Sequence, residues 1–381
     1  MGNNRPMHVC YFGTYREDYS RNQMMIAGLK LNGVKVTECH QTLWHGIDDR
    51  VRIVSGGWLK PSFWWRIIST YGRLLRSYLL VIDYDILVVG YPGQLDIFLA
   101  RILTWLKRRP LVWDVFMSIY LISSERGLDK QNRVSINLLH WLEGKGLKLS
   151  DMLILDTGEY IRWFEQNYGV SQERFRTVPT GADDRIFTPI PQNLTMDGKF
   201  RILYFGTFIP NHGVLYIVEA AKLLVDEPTI LFEFIGNGPE LEMAQQFVTK
   251  NNLKNVNFIE WMEKNKLIYR INQADVCLGA FGTTPQSMMT IQNKIYESIA
   301  MEKALISGDS PAIRQVFIHG ENIYLCERAS GKSLANAILD LYNNTPLRER
   351  IAKNGYKLYK EEYDLLNNGN RFKAHLREVI Q

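Results

Sequence analysis

Continuous apolar runs alternate along the chain with stretches in which apolar residues recur at helical spacing. In the first half, the apolar runs are HVCYFG, VKVTEC, DILVVGY, LVWDVF, MLILDT and RFRTVP. Helical patterns lie between them, near residues 20–32, 61–79, 93–107, 134–149 and 158–168. Runs rich in Val, Ile and Leu are typical of parallel strands that are covered on both faces. The first half therefore predicts an α/β domain built on a parallel sheet.

The second half repeats this alternation. Its predicted strands are RILYFG, ILFEFIG, VNFIEW, ADVCLGA, ALISG and NIYLC, with helical patterns near residues 213–225, 239–252, 263–273, 292–301 and 332–343. Between the halves, TPIPQNLTMDGK has two prolines, a glycine and no periodicity, which is typical of an exposed linker.

The pattern predicts two Rossmann-like, doubly wound parallel-sheet domains that face a central cleft. We place the first domain at residues 1–189, a linker at 190–199 and the second domain at 200–365. Residues 366–381 predict a final helix that packs back toward the first domain. The length of 381 residues agrees with two domains, because single hydrophobic cores stop growing at about 250–300 residues.

The composition is that of an ordinary globular protein, with 46% hydrophobic and 22% charged residues. The cysteines have no paired spacing and lie in apolar runs, which favours reduced thiols and a cytoplasmic protein. No window reaches the roughly 18 uninterrupted apolar residues of a membrane span. We therefore expect a cytoplasmic protein that is soluble or peripheral.

The positive charge is concentrated in the first half of the chain. Residues 1–190 contain 24 Lys and Arg against 19 Asp and Glu, and the rest of the chain contains 21 against 21. No carboxylate occurs between Asp49 and Asp83, whereas six basic residues occur there. This distribution predicts an acidic partner for the first half.

The segment GWLKPSFWWRIISTYGRLLRSYLL, residues 57–80, is both basic and aromatic. On a helix, its apolar residues form one face, and its basic and hydroxyl residues lie largely opposite. Such a helix suits the interface of an anionic bilayer, although it is also explained by packing on its own sheet. We predict membrane contact at the inner face of the cell membrane, through Trp58, Trp64, Trp65, Arg66 and Arg73. The basic residues lie among bulky aliphatic side chains, so nucleic acid is not an expected partner.

The sequence YFGT occurs at residues 11–14 and again at residues 204–207. Each copy ends the first strand of a predicted open α/β sheet, which is where such sheets bind ligands. Gly13 with Thr14, and Gly206 with Thr207, are therefore candidate ligand contacts. The general preference of strand-to-helix turns for Gly and Thr also explains the tetrapeptide.

Three further patterns in the second half suit a phosphorylated ligand. FGTFIPNHGV places His212 at the start of a helix, where free backbone N–H groups favour an anion. FEFIGNGPELE is again a strand, a glycine turn and a helix. In TIQNKIYESIAMEKALIS, Lys294 and Glu297 share one helical face, so the lysine suits a phosphate and the glutamate two ribose hydroxyls. A solvated surface ion pair is the alternative for these two residues.

Taken together and in order, these segments resemble the retaining glycosyltransferases of family 4, which share the two-domain fold called GT-B. The resemblance also includes FRTVPTGADDRIFTP and NVNFIEWMEKNKLIYRINQADVCLGAF, and it extends over roughly residues 150–365. It implies transfer of a sugar from a nucleotide diphosphate sugar, most simply a UDP- or GDP-sugar, which is a substrate and not a cofactor. The acceptor, a lipid-linked or glycan molecule of surface polysaccharide or glycolipid biosynthesis, would bind the first domain, near Gly13 and Thr14.

The resemblance also assigns roles to residues of the second domain. Glu297 is similar to the carboxylate that binds the ribose, and Asn237 with Gly238 is similar to the turn beside the base. The nucleotide-binding set comprises Gly206, Thr207, His212, Asn237, Gly238, Asn293, Lys294 and Glu297. The chain departs from the family at Met289, where the first of two glutamates is usual. Basic residues that commonly hold the diphosphate would fall at Thr207 and His212, which leaves Lys294 as the principal cation.

Two residues are candidates for catalysis: Lys294, which would stabilise the departing diphosphate, and Asp114. Asp114 ends a predicted strand that faces the cleft, where it would orient the acceptor or share charge with the sugar. A buried structural aspartate bonded to a helix terminus is the alternative. No cluster of metal ligands occurs, and the DYD at residues 83–85 precedes a strand, as a turn or N-cap does, so we predict metal-independent hexosyl transfer. A sugar-nucleotide epimerase of the same fold and a non-catalytic subunit remain alternative functions.

Overall fold

The computed structural model describes residues 5–43, 57–128, 132–191 and 197–380. The chain forms two compact units, one of residues 1–179 with 365–381, and one of residues 180–364. Half of the predicted linker, residues 192–196, lies outside the described residues.

The first unit contains a six-stranded parallel sheet with the strand order β2-β1-β3-β4-β5-β6. Its strands are β1 His8–Gly13, β2 Lys35–His40, β3 Ile86–Val89, β4 Leu111–Phe116, β5 Met152–Leu155 and β6 Phe175–Thr177. Valine, isoleucine and leucine fill the central strands, and all four residues of β3 and of β5 are buried. Burial on both faces explains why these strands have no alternation of polar and apolar residues.

Helices cover both faces of this sheet. They are α1 Ser20–Leu31, α2 Pro61–Leu79, α3 Asp96–Lys107, α4 Ile119–Glu125, α5 Arg133–Leu149, α6 Gly158–Tyr168 and the C-terminal helix Leu365–Ile380. The C-terminal helix packs along α1, and Phe372 and Leu376 enter the same buried cluster as Met25 and Leu29. Gly28 and Gly369 let the two helices approach closely, because a Cβ at Gly28 would lie 2.8 Å from the Cα of Gly369.

The second unit contains another six-stranded parallel sheet, with the order β12-β11-β10-β7-β8-β9. Its strands are β7 Phe200–Phe205, β8 Ile230–Ile235, β9 Val256–Ile259, β10 Val276–Leu278, β11 Ala304–Gly308 and β12 Tyr324–Cys326. Its helices are α7 Val214–Leu223, α8 Leu241–Lys250, α9 Lys264–Gln273, α10 Pro285–Met289, α11 Asn293–Ala300, α12 Pro311–Arg314, α13 Gly331–Asn343 and α14 Thr345–Leu358. The strand order reverses between β7 and β10, and sheets of this kind bind ligands beyond the carboxyl ends of the strands at such a point.

The predicted fold class is confirmed for each domain, because both units are Rossmann-like domains built on a six-stranded parallel sheet. All twelve apolar runs quoted above contain strands. The first unit ends ten residues before the predicted end of the first domain, since residues 180–189 lie within the second unit. The physical reason is packing: Ala182 and Phe187 are buried in the core of the second unit.

Candidate functional site

Two glycine turns meet at the carboxyl ends of β7 and β8. A Cβ at Gly236 would overlap the carbonyl oxygen of Gly206, and a Cβ at Gly238 would lie 2.6 Å from the backbone nitrogen of Phe208. All three glycines have positive φ angles. The amide of Phe208 also donates to the carbonyl of Asn237 at 3.0 Å. The turns therefore pack backbone against backbone, which only glycine permits at these positions.

The loop after β10 contacts the same turn from its other side. A Cβ at Gly213 would lie 2.5 Å from the nitrogen of Gly282, and the amide of Phe281 donates to the carbonyl of His212 at 2.9 Å. The loops that follow β7, β8 and β10 thus form one continuous backbone surface. This surface lies where the strand order reverses, and Gly206 and Thr207 lie at the carboxyl end of β7, the strand end predicted for them.

Lys294, near the N-terminus of α11, is buried beside this surface. Its Nζ lies 3.9 Å from the ring centroid of Tyr204, and 3.0 Å from the position of a Cβ at Gly206. Burial holds the pKa of the Lys294 ammonium well below its usual range, although Glu297 favours the charged form. Within the described residues, no carboxylate forms an ion pair with Lys294. A buried ammonium with this surrounding is suited to an anion that arrives from outside.

His212 follows the same turn and carries a defined proton. Its Nδ1 lies 2.6 Å from the carbonyl oxygen of Thr207, and a carbonyl only accepts, so Nδ1 must donate. Burial first, and then the charge of Lys294, hold the pKa of His212 well below its usual range. His212 is therefore a neutral imidazole that shapes the turn. Of the two side chains, Lys294 and not His212 is therefore the cation beside this turn.

Glu297 lies one helical turn after Lys294 and is half-buried. Burial raises the pKa of its carboxyl to about 7, opposed by the charges of Lys264 and Lys294. Asn293, the first residue of α11, is half-buried, and the Ncap residue Gln292 makes no side-chain capping bond. The N-terminal amides of α11 are thus not capped by that side chain.

Thr207, Asn237 and Gly238, which also belong to the predicted nucleotide-binding set, lie in the loops that follow β7 and β8. Thr207 is exposed, and the Asn237 side chain accepts a hydrogen bond from the amide of Gly238 at 2.7 Å, which stiffens the turn. Met289, the position at which the resemblance implies a glutamate, is buried, with 8% of its surface exposed.

Sequence analysis missed the side chains that fix the loop after β10. Buried Arg328 donates to the carbonyl of Gly282 at 2.7 Å and to Ser287 Oγ at 2.8 Å, and Ser287 Oγ donates to the carbonyl of Asn211 at 2.6 Å. These partners are far apart in sequence, and no local pattern connects them. They hold the loops after β7 and β10 together.

The matching turn of the first unit is already occupied. The amide of Thr14 donates to Asp96 Oδ2 at 2.7 Å, and a Cβ at Gly13 would lie 2.6 Å from the same oxygen. Tyr71 Oη donates to Asp96 Oδ1 at 2.5 Å, and Thr14 and Asp96 are fully buried. Burial raises the pKa of Asp96 to about 6. Gly13 and Thr14 are therefore packed against the protein's own carboxylate, which was not predicted for these acceptor-side candidates.

Asp114 lies in a buried ion pair. Its oxygens accept hydrogen bonds from Arg21 Nε at 2.9 Å and from Arg21 Nη2 at 2.8 Å, and both side chains have 0% exposure. Arg21 also donates to the carbonyl of Val178 at 2.6 Å. This geometry favours the structural alternative for Asp114, although the partner is an arginine and not a helix terminus. Because Asp114 is fully buried, its side chain cannot contact an acceptor in this conformation.

The basic aromatic helix divides its apolar residues between two sides. Leu74 and Tyr78 are buried on the first unit, whereas Trp64, Trp65 and Ile68 are 50%, 73% and 63% exposed. The single apolar face expected from sequence is thus split, because only part of it packs on the sheet. Exposed Arg73 donates to Thr70 Oγ1 at 3.3 Å, and Arg66 is half-buried.

Trp58 differs from the other predicted membrane contacts. It is half-buried, and its Nε1 donates to Ser135 Oγ of α5 at 2.7 Å.

Within the described ranges, no helix is long and apolar enough to cross a membrane. No group of three or more potential metal ligands occurs in the described part of the chain. Asp83 and Asp85 are instead paired with Arg5.

Comparison with known proteins agrees with this arrangement. Residues 187–358 match the family described as "Glycosyl transferases group 1". An uncharacterised glycosyltransferase of Methanocaldococcus jannaschii is 25% identical over 159 residues, which are 42% of this chain and 43% of that protein. Alpha-D-kanosaminyltransferase of Streptomyces kanamyceticus is 21% identical over 333 residues, which are 85% of this chain and 83% of that enzyme. The family match lies within the second unit, and both relatives are glycosyltransferases by name.

The fold also matches solved structures. The Anabaena protein HepE, solved in complex with UDP-glucose, superimposes with a TM-score of 0.69 at 16% identity. The match covers 98% of this chain and 100% of HepE. At this identity the likeness shows the fold, which is that of two Rossmann-like domains.

Proposed function

We propose that the protein transfers a sugar from a nucleotide diphosphate sugar to a lipid-linked or glycan acceptor. The observation that carries this proposal is the buried ammonium of Lys294 beside the Gly206 turn, at the point where the second sheet reverses its strand order. The group 1 match of residues 187–358 supports the reaction class. The binding of UDP-glucose by HepE supports a UDP-sugar as the donor, with a GDP-sugar as the second choice.

The roles of the side chains follow from their chemistry. Lys294 and the N-terminal amides of α11 attract the diphosphate, because both present positive charge to it. Glu297 in its ionised form accepts hydrogen bonds from the ribose hydroxyls. Asn237 and Gly238 form the turn beside the base, and Thr207 and Asn293 complete the rim.

We further propose a retaining, metal-independent hexosyl transfer of the family 4 type. The bond between the anomeric carbon and the diphosphate oxygen breaks, the anomeric carbon bonds to an acceptor hydroxyl, and the proton of that hydroxyl passes to the leaving diphosphate. Lys294 and the helix amides stabilise the charge that develops on the leaving diphosphate. The first unit would hold the acceptor. We do not place the acceptor on Gly13 and Thr14, because both are buried against Asp96.

The basic aromatic helix α2 supports a lipid-linked acceptor in surface polysaccharide or glycolipid assembly. Trp64 and Trp65 are exposed, and α2 contains no carboxylate. An anionic bilayer attracts basic residues and accepts tryptophan at its interface. We propose that the protein acts in the cytoplasm, at the inner face of the cell membrane.

Donor binding and turnover test the proposed function. UDP- and GDP-sugars are screened by thermal shift, because a ligand that binds only the folded state raises the melting temperature. The Lys294→Ala and Glu297→Ala variants should remain folded and lose this shift. Release of UDP or GDP by the wild-type protein should require the addition of a membrane lipid extract. Conversion of the donor to another nucleotide sugar without acceptor would identify an epimerase, and binding without turnover in any extract would identify a non-catalytic subunit.

A further inference from the structure

Helices α2, α3 and α5 lie side by side on one face of the first sheet. They follow β2, β3 and β4 and lead to β3, β4 and β5, respectively. All three connections cross the sheet in the same direction, toward β6. Crossover connections of this kind are right-handed, so all three helices must cover the same face. Tyr71 of α2 is bonded to Asp96 of α3, and a Cβ at Gly146 of α5 would contact Ile97 of α3.

The outward sides of these helices carry large apolar residues at helical spacing. On α2 they are Trp64, Trp65, Ile68, Leu75 and Leu79, on α3 Ile102, Trp105 and Leu106, and on α5 Val134, Leu138 and Trp141. Trp105 is 75% exposed and Trp141 is 54% exposed. Four of the five exposed tryptophans in the described residues lie on these three helices. Such a concentration marks an interaction surface and not scattered surface residues.

The exposed charges on the same helices have one sign. Their only carboxylates, Asp96 and Glu143, have 0% exposure. The exposed charged residues of the three helices are all basic, namely Arg73, Arg76, Lys107, Arg133, Lys145 and Lys148. The next helix in the layer, α6, carries Glu159 and Glu165, so the carboxylate-free region ends there.

We propose that the outward sides of α2, α3 and α5, the three-helix face, form one docking surface for an anionic lipid bilayer. This inference rests on the proposed function, since it deepens the contact assigned to α2 by adding α3 and α5. Tryptophan is favoured at the boundary between lipid headgroups and acyl chains, and basic residues are attracted to anionic headgroups. A layer of three helices presents a broad contact, whereas α2 alone presents a single stripe.

Charge decides between a bilayer and a second copy of the chain. Two three-helix faces would bring basic residues against basic residues with no exposed carboxylate on α2, α3 or α5 of either copy, which is repulsive. An anionic bilayer instead satisfies the aromatic and the basic residues together. The lipid surface is therefore the occupant that the three-helix face fits.

Vesicle sedimentation at low salt tests the three-helix face, with phosphatidylcholine vesicles that contain or lack phosphatidylglycerol. The wild-type protein should sediment with the anionic vesicles only. The Trp105→Ser/Trp141→Ser variant and the Lys145→Glu/Lys148→Glu variant both leave α2 unchanged, and each should lower the partition coefficient about tenfold. Trp261→Ser is the matched control, because Trp261 is 68% exposed on the second unit, and it should bind as the wild type does.

The possible outcomes separate this inference from the proposed function. Loss of binding in both α3/α5 variants, with unchanged melting temperature and donor-induced thermal shift, supports the three-helix face. If these variants bind anionic vesicles as the wild type does, or if Trp261→Ser loses vesicle binding to the same extent, the inference is overturned. Neither result bears on donor binding. Dimerisation of the wild type that the Trp105→Ser/Trp141→Ser variant abolishes, without vesicle binding, also overturns it. Absence of any donor-induced shift in the wild type instead overturns the proposed function.

Discussion

The backbone amide of Thr14 donates to Asp96 Oδ2 at 2.7 Å, so a carboxylate of the chain itself occupies the first of the two YFGT turns. The second YFGT turn lies beside the ammonium of Lys294, whose Nζ is 3.9 Å from the Tyr204 ring centroid. The same four residues therefore face an internal anion in one unit and a buried cation in the other. This asymmetry favours the second unit for the diphosphate of the proposed donor.

The first prediction concerns Asp96. The Asp96→Asn variant should lose about 1–3 kcal/mol of unfolding free energy, because an amide cannot accept all the bonds that Thr14 and Tyr71 donate. Donor affinity should not change, since the donor binds the second unit. Urea unfolding and calorimetry measure the two quantities. A fall in donor affinity without loss of stability would show that the first turn takes part in donor binding.

The second prediction separates the function of Lys294 from stability. The Lys294→Met variant should bind the donor about 10- to 100-fold more weakly, because a charge-assisted contact to the diphosphate is lost. The unliganded variant should be more stable, on the order of 1 kcal/mol, because burial of an ammonium without an ion-pair partner is unfavourable. Calorimetry and thermal melting measure these effects.

Lys303→Met is the matched control for Lys294. Lys303 is also buried, burial lowers the pKa of its ammonium, and its Nζ donates to the carbonyl of Asn272 at 2.6 Å. It precedes β11, at the opposite end of the strands from the glycine turns. The control variant should keep wild-type donor affinity. Equal losses of affinity in both variants would mean that any buried lysine of this unit affects binding indirectly.

Much of this architecture follows from local sequence patterns. The apolar runs predict every strand, and because parallel strands end at the same edge, they also predict that the Gly206 and Gly236 turns are neighbours. Lys294 is predicted beside them for the same reason. Contacts between distant residues do not follow, because no local pattern joins Thr14 to Asp96 or Arg21 to Asp114. Nor does sequence tell which part of the broad apolar arc of α2 packs, which is why Leu74 is buried and Trp65 is not.

The third prediction tests the structural role of Asp114. The Asp114→Asn variant should lose about 3–5 kcal/mol of stability, because the guanidinium of Arg21 stays buried without its counter-charge. The double variant Arg21→Met/Asp114→Leu should recover a large part of this loss, since it removes both buried charges. Denaturant unfolding of the wild type and the two variants measures the loss and its recovery. A catalytic Asp114 would instead show a large fall in turnover with unchanged stability.

The fourth prediction concerns the contact between the two glycine turns. The Gly236→Ala variant should be strongly destabilised and should lose donor binding, because its Cβ would overlap the carbonyl oxygen of Gly206. Gly320→Ala is the control: its φ angle is +73°, and nothing lies within 4 Å of its Cβ position. The control should cost only about 1–2 kcal/mol, from the left-handed backbone. Equal effects on melting temperature and donor affinity would argue against a role for the turn contact.

The fifth prediction is a pH dependence of donor affinity set by Glu297. Burial raises the pKa of this carboxyl to about 7, and the ribose hydroxyls require the ionised form as an acceptor. Affinity for an intact nucleotide diphosphate sugar should therefore be full above about pH 8 and fall as the pH decreases through 7, by roughly tenfold at about pH 6. The intact donor is used because its phosphates are diesters, without the group that titrates near 6 in a phosphate monoester.

Glu297→Gln provides the test of this assignment, because an amide keeps the shape but does not titrate. The variant should bind more weakly at high pH, and its affinity should lack the decrease below pH 7. In the unliganded protein, the raised pKa of Glu297 means that the folded state holds more protons than the unfolded state between the ordinary glutamate pKa and about 7. Stability of the wild type should therefore decline as the pH rises through this window, and the variant should decline less. A variant that keeps the full pH dependence of donor affinity would assign the titration to another group and remove Glu297 from the ribose site.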